Sequence, residues 1–139
     1  MYKVNGACHC GNIQVDMELT REPHTYDPRA CDCDFCRKHG AAYVSDAQGS
    51  LRIRIKDERE ITRYRQGSGL ADCLVCRNCG VLVSVCYRSE GRLYATVNAN
   101  VAAGVNFGTE KSVSPKKLSD SAKVGRWQDI WFSDVAFVS

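Results

Sequence analysis

Seven of the nine cysteines in this chain fall into short groups: Cys8-His9-Cys10, Cys31-Asp32-Cys33-Asp34-Phe35-Cys36 and Cys76-Arg77-Asn78-Cys79. Side chains two apart on an extended segment project to the same side, so a CxC pair can converge on one point. A CxxC pair turns the chain around that point. Gly80 follows the last pair, where a positive φ carries no Cβ clash. Cys8 and Cys10 together with Cys76 and Cys79 therefore supply the four sulfurs of a closed, structural zinc site.

Cys31, Cys33 and Cys36 supply only three sulfurs. Zinc held from three sides keeps a position for water or an external thiol and usually does chemistry there. On this reading Cys31, Cys33 and Cys36 are both ligands of a second, open zinc and the catalytic residues. Two alternatives stand beside it. Cys73, itself in a CxxC with Cys76, or His39, three residues past Cys36, closes the site as a fourth ligand. In the absence of metal, the clustered thiols oxidise to a disulfide.

Other residues have bland and functional readings side by side. Arg37 and Lys38 either meet a carboxylate and lower a thiolate pKa, or form a solvated pair on a turn. His39 is placed to move protons or simply lies on the surface. His9 is expected to point away from the metal, and His24, after Pro23, to lie on an exposed loop. Cys86 sits in an apolar run and reads as core. Trp127 and Trp131, four apart, read as a lid on the core, with a stacking surface for substrate as the other option. Gly67-Ser68-Gly69 lacks the strand–helix setting of a nucleotide-binding loop.

The elements that must position these groups are strands. Ile13, Val15, Met17 and Leu19 alternate with polar residues, as do Leu51, Ile53 and Ile55, whose partners Arg52, Arg54 and Lys56 make a solvated face. Residues 81–87 and 93–97 are rich in β-branched and apolar side chains, and Gly, Asn and Asp punctuate the runs. No amphipathic helix of three turns is evident; at most Phe35 to His39 form a single turn. The stretch from Asn98 to Ser121 reads as irregular and basic, and Trp127 to Val138 as a return over the core. A mainly β, mainly antiparallel protein follows. Residues 1–139 are expected to form a single domain, because the closed zinc site ties the first knuckle to the one at Cys76.

Composition sets further bounds. Apolar residues make up 44% of the 139 and charged residues 25%, as in ordinary globular proteins. An odd cysteine count argues against a fully paired disulfide framework. The opening Met1-Tyr2-Lys3-Val4-Asn5-Gly6 has no apolar h-region, so a cytoplasmic location with reduced thiols is expected. No apolar run approaches the roughly 20 residues of a membrane helix, so no membrane partner is expected. The formal charge of +3 counts every cysteine as neutral. Zinc on four thiolates would bring it to about +1, too little for a nucleic-acid partner on bulk electrostatics.

The three motifs in order, Gly6-Ala7-Cys8-His9-Cys10-Gly11, Cys31 through Ala42, and Cys76-Arg77-Asn78-Cys79-Gly80, resemble the glutathione-dependent formaldehyde-activating enzyme family, also called the centromere protein V-like (GFA) domain. The resemblance spans essentially the whole chain, and Cys73 falls outside the family's pattern. It implies a β-tent of small antiparallel sheets built around zinc, with two zinc ions per chain on the two cysteine sets. It also implies partners, a small-molecule thiol (glutathione) and an aldehyde, and a carbon–sulfur lyase-type reaction on an adduct such as S-hydroxymethylglutathione. A non-catalytic zinc module, whether a glutathione carrier or a protein-interaction domain, is the alternative. The absence of a long basic tail favours the enzyme.

Overall fold

A computed structural model describes all 139 residues. The chain runs through β1 (Tyr2–Ala7), β2 (Ile13–Leu19), β3 (Arg29–Cys31), a short helix α1 (Asp34–His39), β4 (Ala42–Val44), β5 (Ser50–Ile55), β6 (Ile61–Tyr64) and β7 (Asp72–Cys76). It continues through β8 (Leu82–Ser89), β9 (Arg92–Asn98), β10 (Lys111–Val113), a longer helix α2 (Asp120–Ile130) and β11 (Val135–Val138). Two sheets result: four strands in the order β1-β2-β5-β11, and seven in the order β10-β3-β4-β9-β8-β7-β6. The protein is mainly β with two sheets and few helices, the class expected of a β-tent.

The alternation read from the sequence sets the first sheet. Ile13, Val15, Met17 and Leu19 of β2 are buried, and Val15 and Met17 pair with Ile53 and Leu51 of β5 on the same face. The outward positions carry charge. Arg52 pairs with Asp134 at 3.0 Å and Arg54 with Asp16 at 3.4 Å, so that face is solvated and laced with exposed ion pairs. Buried Leu74, Val83, Ala95 and Val97 of the larger sheet pack in the same core as the β2 and β5 residues. Phe132 is fully buried there, and its backbone N–H and C=O both bond Ala95, at 2.9 and 3.1 Å. Burying such a ring stabilises the fold by about 2–3 kcal/mol, so the segment after α2 does return over the core. Cys86 of β8 is buried in the same core.

The pairing is mainly antiparallel, as expected, and each sheet ends in one parallel pair, β10 with β3 and β11 with β5. Parallel neighbours need a long crossover, and each of these late strands joins its edge after the chain has passed through the other sheet. One expectation needs correction: α2 is three turns long where no such helix was evident. Gly125 and scattered apolar residues hide it in the sequence. Its start is fixed by Ser119, whose hydroxyl accepts from the Ala122 N–H at 3.2 Å, and its end by Trp127, packed against Tyr87 and Trp131. No helix is long and apolar enough to cross a membrane.

Candidate metal sites and the adjoining cavity

The first cysteine set is assembled where β1 gives way to β2 and where β7 ends. Cys8, Cys10, Cys76 and Cys79 place their sulfurs within 4.8 Å of one another, a set able to hold a metal ion. Cys10 Sγ lies 3.8 Å from Cys8 Sγ and 3.5 Å from Cys76 Sγ. Both knuckles are turned by backbone bonds, Gly11 N–H to Cys8 C=O at 3.0 Å and Gly80 N–H to Cys76 C=O at 2.8 Å. Gly11 and Gly80 adopt φ of 84° and 80°, the region the sequence assigned to Gly80. The Ile13 and Cys79 N–H groups donate to the sulfurs of Cys8 and Cys76, at 3.3 and 3.5 Å. Asn78 and the neighbouring groups lower Cys10 to about 6, whereas burial pushes Cys76 up to about 12. His9 is exposed and outside the set.

The second set uses the end of β3 and the start of α1. Cys33 caps α1, its sulfur accepting from the Cys36 N–H at 3.4 Å, and Gly40 closes the helix in the left-handed region. The single turn expected behind the third cysteine is therefore present. It points Cys36 inward, and Cys31, Cys33 and Cys36 bring their sulfurs within 4.8 Å of one another. A hydrogen bond with Cys36 lowers Cys31 to about 6 against the cost of its burial, and that bond with desolvation raises Cys36. Burial also raises Cys33. The arrangement is a thiolate flanked by two thiols, and a cation placed among them would draw off the remaining protons. Oδ1 of Asp32 is buried beside them without a hydrogen-bond partner, which adds to the demand for positive charge. Soft sulfur donors in this number suit a tetrahedral zinc ion with one position open.

A cavity of about 140 Å³ opens directly on this second set. Cys31, Cys33 and Cys36 form part of its wall, and none of the four cysteines of the first set does. Cys73 lines the same cavity but stands outside the set of mutually close sulfurs, and burial pushes its thiol up to about 12. His39 is exposed and stacks on Phe35 at 4.7 Å, away from the cavity lining. Neither residue belongs to the set of mutually close ligand atoms. Arg37 and Lys38 are exposed on α1 and do not line the cavity either. His24 is exposed in a single turn of 3-10 helix, as expected of a loop residue.

Further residues build the cavity. Tyr43 of β4 hydrogen-bonds Cys36 Sγ at 3.1 Å, and burial keeps its phenol protonated. Trp127 and Trp131 are buried and stacked, ring centroids 4.8 Å apart and planes 16° apart, and they line the cavity as well as lidding the core. Arg29, Lys123 and Arg126 bring positive charge to the same wall. Desolvation, and then the like charge of Arg126, lowers Arg29 to about 10, which leaves it charged at neutral pH. Gln66, Gly67 and Ser68 contribute lining but no phosphate cradle.

Residues 3–124 match the family model described as "Glutathione-dependent formaldehyde-activating enzyme". The chain is also similar to a solved structure of a Rhodobacter sphaeroides protein, with 31% sequence identity and a TM-score of 0.55, covering 73% of this chain and 90% of that one.

Proposed function

This chain belongs to the glutathione-dependent formaldehyde-activating enzyme family, and on that footing we propose that it joins a thiol to an aldehyde at Cys31, Cys33 and Cys36. Glutathione and formaldehyde are the pair the family's name gives, and S-hydroxymethylglutathione is then the product, a carbon–sulfur lyase reaction in its synthetic sense. One zinc ion on Cys8, Cys10, Cys76 and Cys79 holds the fold, and a second is held by Cys31, Cys33 and Cys36. The observation that carries this reading is the contrast between the two sets: four sulfurs away from the cavity, three sulfurs on its wall.

Cys31, Cys33 and Cys36 would hold the second zinc ion, which would acidify a bound thiol and so supply a nucleophilic sulfur at neutral pH. The chain's own groups do the rest. The sulfur lone pair forms the C–S bond, the carbonyl π pair moves to oxygen, and that oxygen takes a proton equivalent to the one the thiol lost. The Tyr43 hydroxyl holds the Cys36 sulfur in place. The stacked indoles of Trp127 and Trp131 present an apolar wall that limits water near the reacting carbon. A volume near 140 Å³ admits a benzene-sized group, which suits the thiol end of a tripeptide with a small aldehyde but not the whole tripeptide. We place the reaction in the cytoplasm, where thiols stay reduced.

The test combines zinc content with product formation. Two zinc ions per chain by elemental analysis, and acceleration of adduct formation from isotopically labelled formaldehyde and glutathione followed by NMR, are expected. Both the second zinc and the acceleration should disappear in Cys33→Ser. Saturable glutathione binding with no acceleration would replace the enzyme by a carrier.

A further inference from the structure

Arg29 is the one arginine on the inner part of the cavity wall whose guanidinium is anchored without any carboxylate. Its Nη2 donates to the hydroxyls of Ser45 at 2.9 Å and Thr96 at 3.1 Å. Both hydroxyls have already committed their protons to backbone carbonyls, Ser45 to Ile130 at 2.7 Å and Thr96 to Val44 at 3.0 Å, so they must act as acceptors toward Arg29. A guanidinium has five N–H donors. Nε–H and the two Nη1–H groups of Arg29 have no protein acceptor. They are not sealed, since the sole buried side-chain polar atom without a partner is Oδ1 of Asp32. They are open to the cavity that Arg29 lines.

The charge balance there is one-sided. Arg52, Arg54, Arg59, Arg63 and Arg65 each have an acidic partner within 4.0 Å, but Arg29, Lys123 and Arg126 have none. Lys123 and Arg126 lie three apart on α2 and line the same wall. Lys116, also on the lining, is already matched to Asp32 at 4.0 Å. No aspartate or glutamate lines this wall, so beyond the cysteine sulfurs these cations have no group of opposite charge beside them.

We infer that the cavity binds its reactant by a carboxylate, held by the free N–H groups of Arg29 and flanked by Lys123 and Arg126. Nε–H and the Nη1–H groups each offer a charge-assisted hydrogen bond to a carboxylate oxygen. This inference rests on the proposed role of Cys31, Cys33 and Cys36 as the reactive end, and adds the anionic end that orients a reactant toward it. The carboxylate can belong to the thiol, as in glutathione, or to the aldehyde.

The two tryptophans of the chain both line this cavity, so intrinsic fluorescence reports its occupancy. Titration of the full-length protein with propionate, which has neither thiol nor aldehyde, should give a saturable change that propanol does not, weakening as salt rises. Arg29→Lys keeps the charge, loses the directed guanidinium N–H donors, and should weaken propionate roughly 10-fold or more. Arg126→Gln and Lys123→Gln, on the helix surface, should each weaken it several-fold and serve if Arg29→Lys does not fold. Equal responses to propionate and propanol, or binding indifferent to the Arg126 and Lys123 variants, would overturn the inference. Two further pairs locate the source: 3-mercaptopropionate against 2-mercaptoethanol, and glyoxylate against glycolaldehyde. Preference for the acid in either pair supports the site and assigns the carboxylate to that reactant. If both mercaptans bind equally through Cys33 and neither pair shows a preference, the anion site fails while the thiol reading stands. Arg126-dependent propionate binding with no thiol binding at all would keep the anion site and remove the thiol reading.

Discussion

The Tyr43 hydroxyl and the Cys36 sulfur lie 3.1 Å apart on facing walls of a buried pocket, joining β4 to α1. Burial keeps the phenol protonated, so it is the donor whenever Cys36 is thiolate. Such a bond fixes where the sulfur points and steadies the charge that a bound cation leaves on it.

Tyr43→Phe removes that donor and little else. Zinc affinity of the three-cysteine set should fall by roughly 10-fold, within the range seen when supporting hydrogen bonds to metal ligands are deleted. The four-cysteine set should be unaffected. Chelator competition that resolves two classes of zinc checks this, and an unchanged weaker class would show that Tyr43 serves packing alone.

Asp46 offers a pH dependence remote from the cysteines. Burial acts to raise its pKa, but hydrogen bonds from the Thr20 hydroxyl and N–H, the Tyr26 hydroxyl and the Gln48 N–H outweigh it and bring the group to about 2. A carboxyl depressed below its unfolded value of roughly 3.9 contributes stability at higher pH and loses it as pH falls through the folded value. The side chain is partly open to solvent screening, so the contribution is held to about 1 kcal/mol. Asp46→Asn should lower stability by about that much at pH 7 and flatten the decline between pH 4 and 2. Urea titrations of both proteins at several pH values measure it, and parallel pH curves would refute the assignment.

The cysteine sets were legible because metal ligation imposes local spacing: the sulfurs of Cys31, Cys33 and Cys36 can be brought together by one β3–α1 turn. The strands β2 and β5 were legible because each has one face buried and one solvated. The rest of the cavity was not, because its bonds span the chain. Arg29 reaches Thr96 across 67 positions and Ser45 reaches Ile130 across 85, and no local pattern announces either. Lys123 and Arg126 carry no local signal, and only α2 brings them to the wall that holds the cysteines. The short strand β10 was hidden for a similar reason, since three residues gain strand geometry only by pairing with β3.

The two cysteine sets should also separate in stability. The first joins the β1–β2 connection to the end of β7, 66 positions away, so a metal held there would link distant parts of the core. Cys76→Ser should therefore cost about 3 kcal/mol or more and lower the melting temperature by roughly 10 °C. Cys33→Ser should reduce zinc from two to one per chain while costing under about 1.5 kcal/mol, because that set lies on a single local turn. Calorimetry with elemental analysis on both variants decides the matter, and equal destabilisation would mean that both sites are structural.

Ser119→Ala tests whether α2 is held by its cap. The hydroxyl accepts from the Ala122 N–H, and loss of such a cap costs about 1 kcal/mol. Trp127 stays packed between Tyr87 and Trp131, so the helix should fray at its first turn and remain docked at its last. Lys123 lies in the second turn and Arg126 in the third, so fraying reaches Lys123 before Arg126. The variant should show faster amide exchange at residues 121–124 with unchanged exchange at residues 127–131. Exchange that accelerates along the whole helix would mean that the cap, and not the tryptophan stack, holds α2 against the cavity.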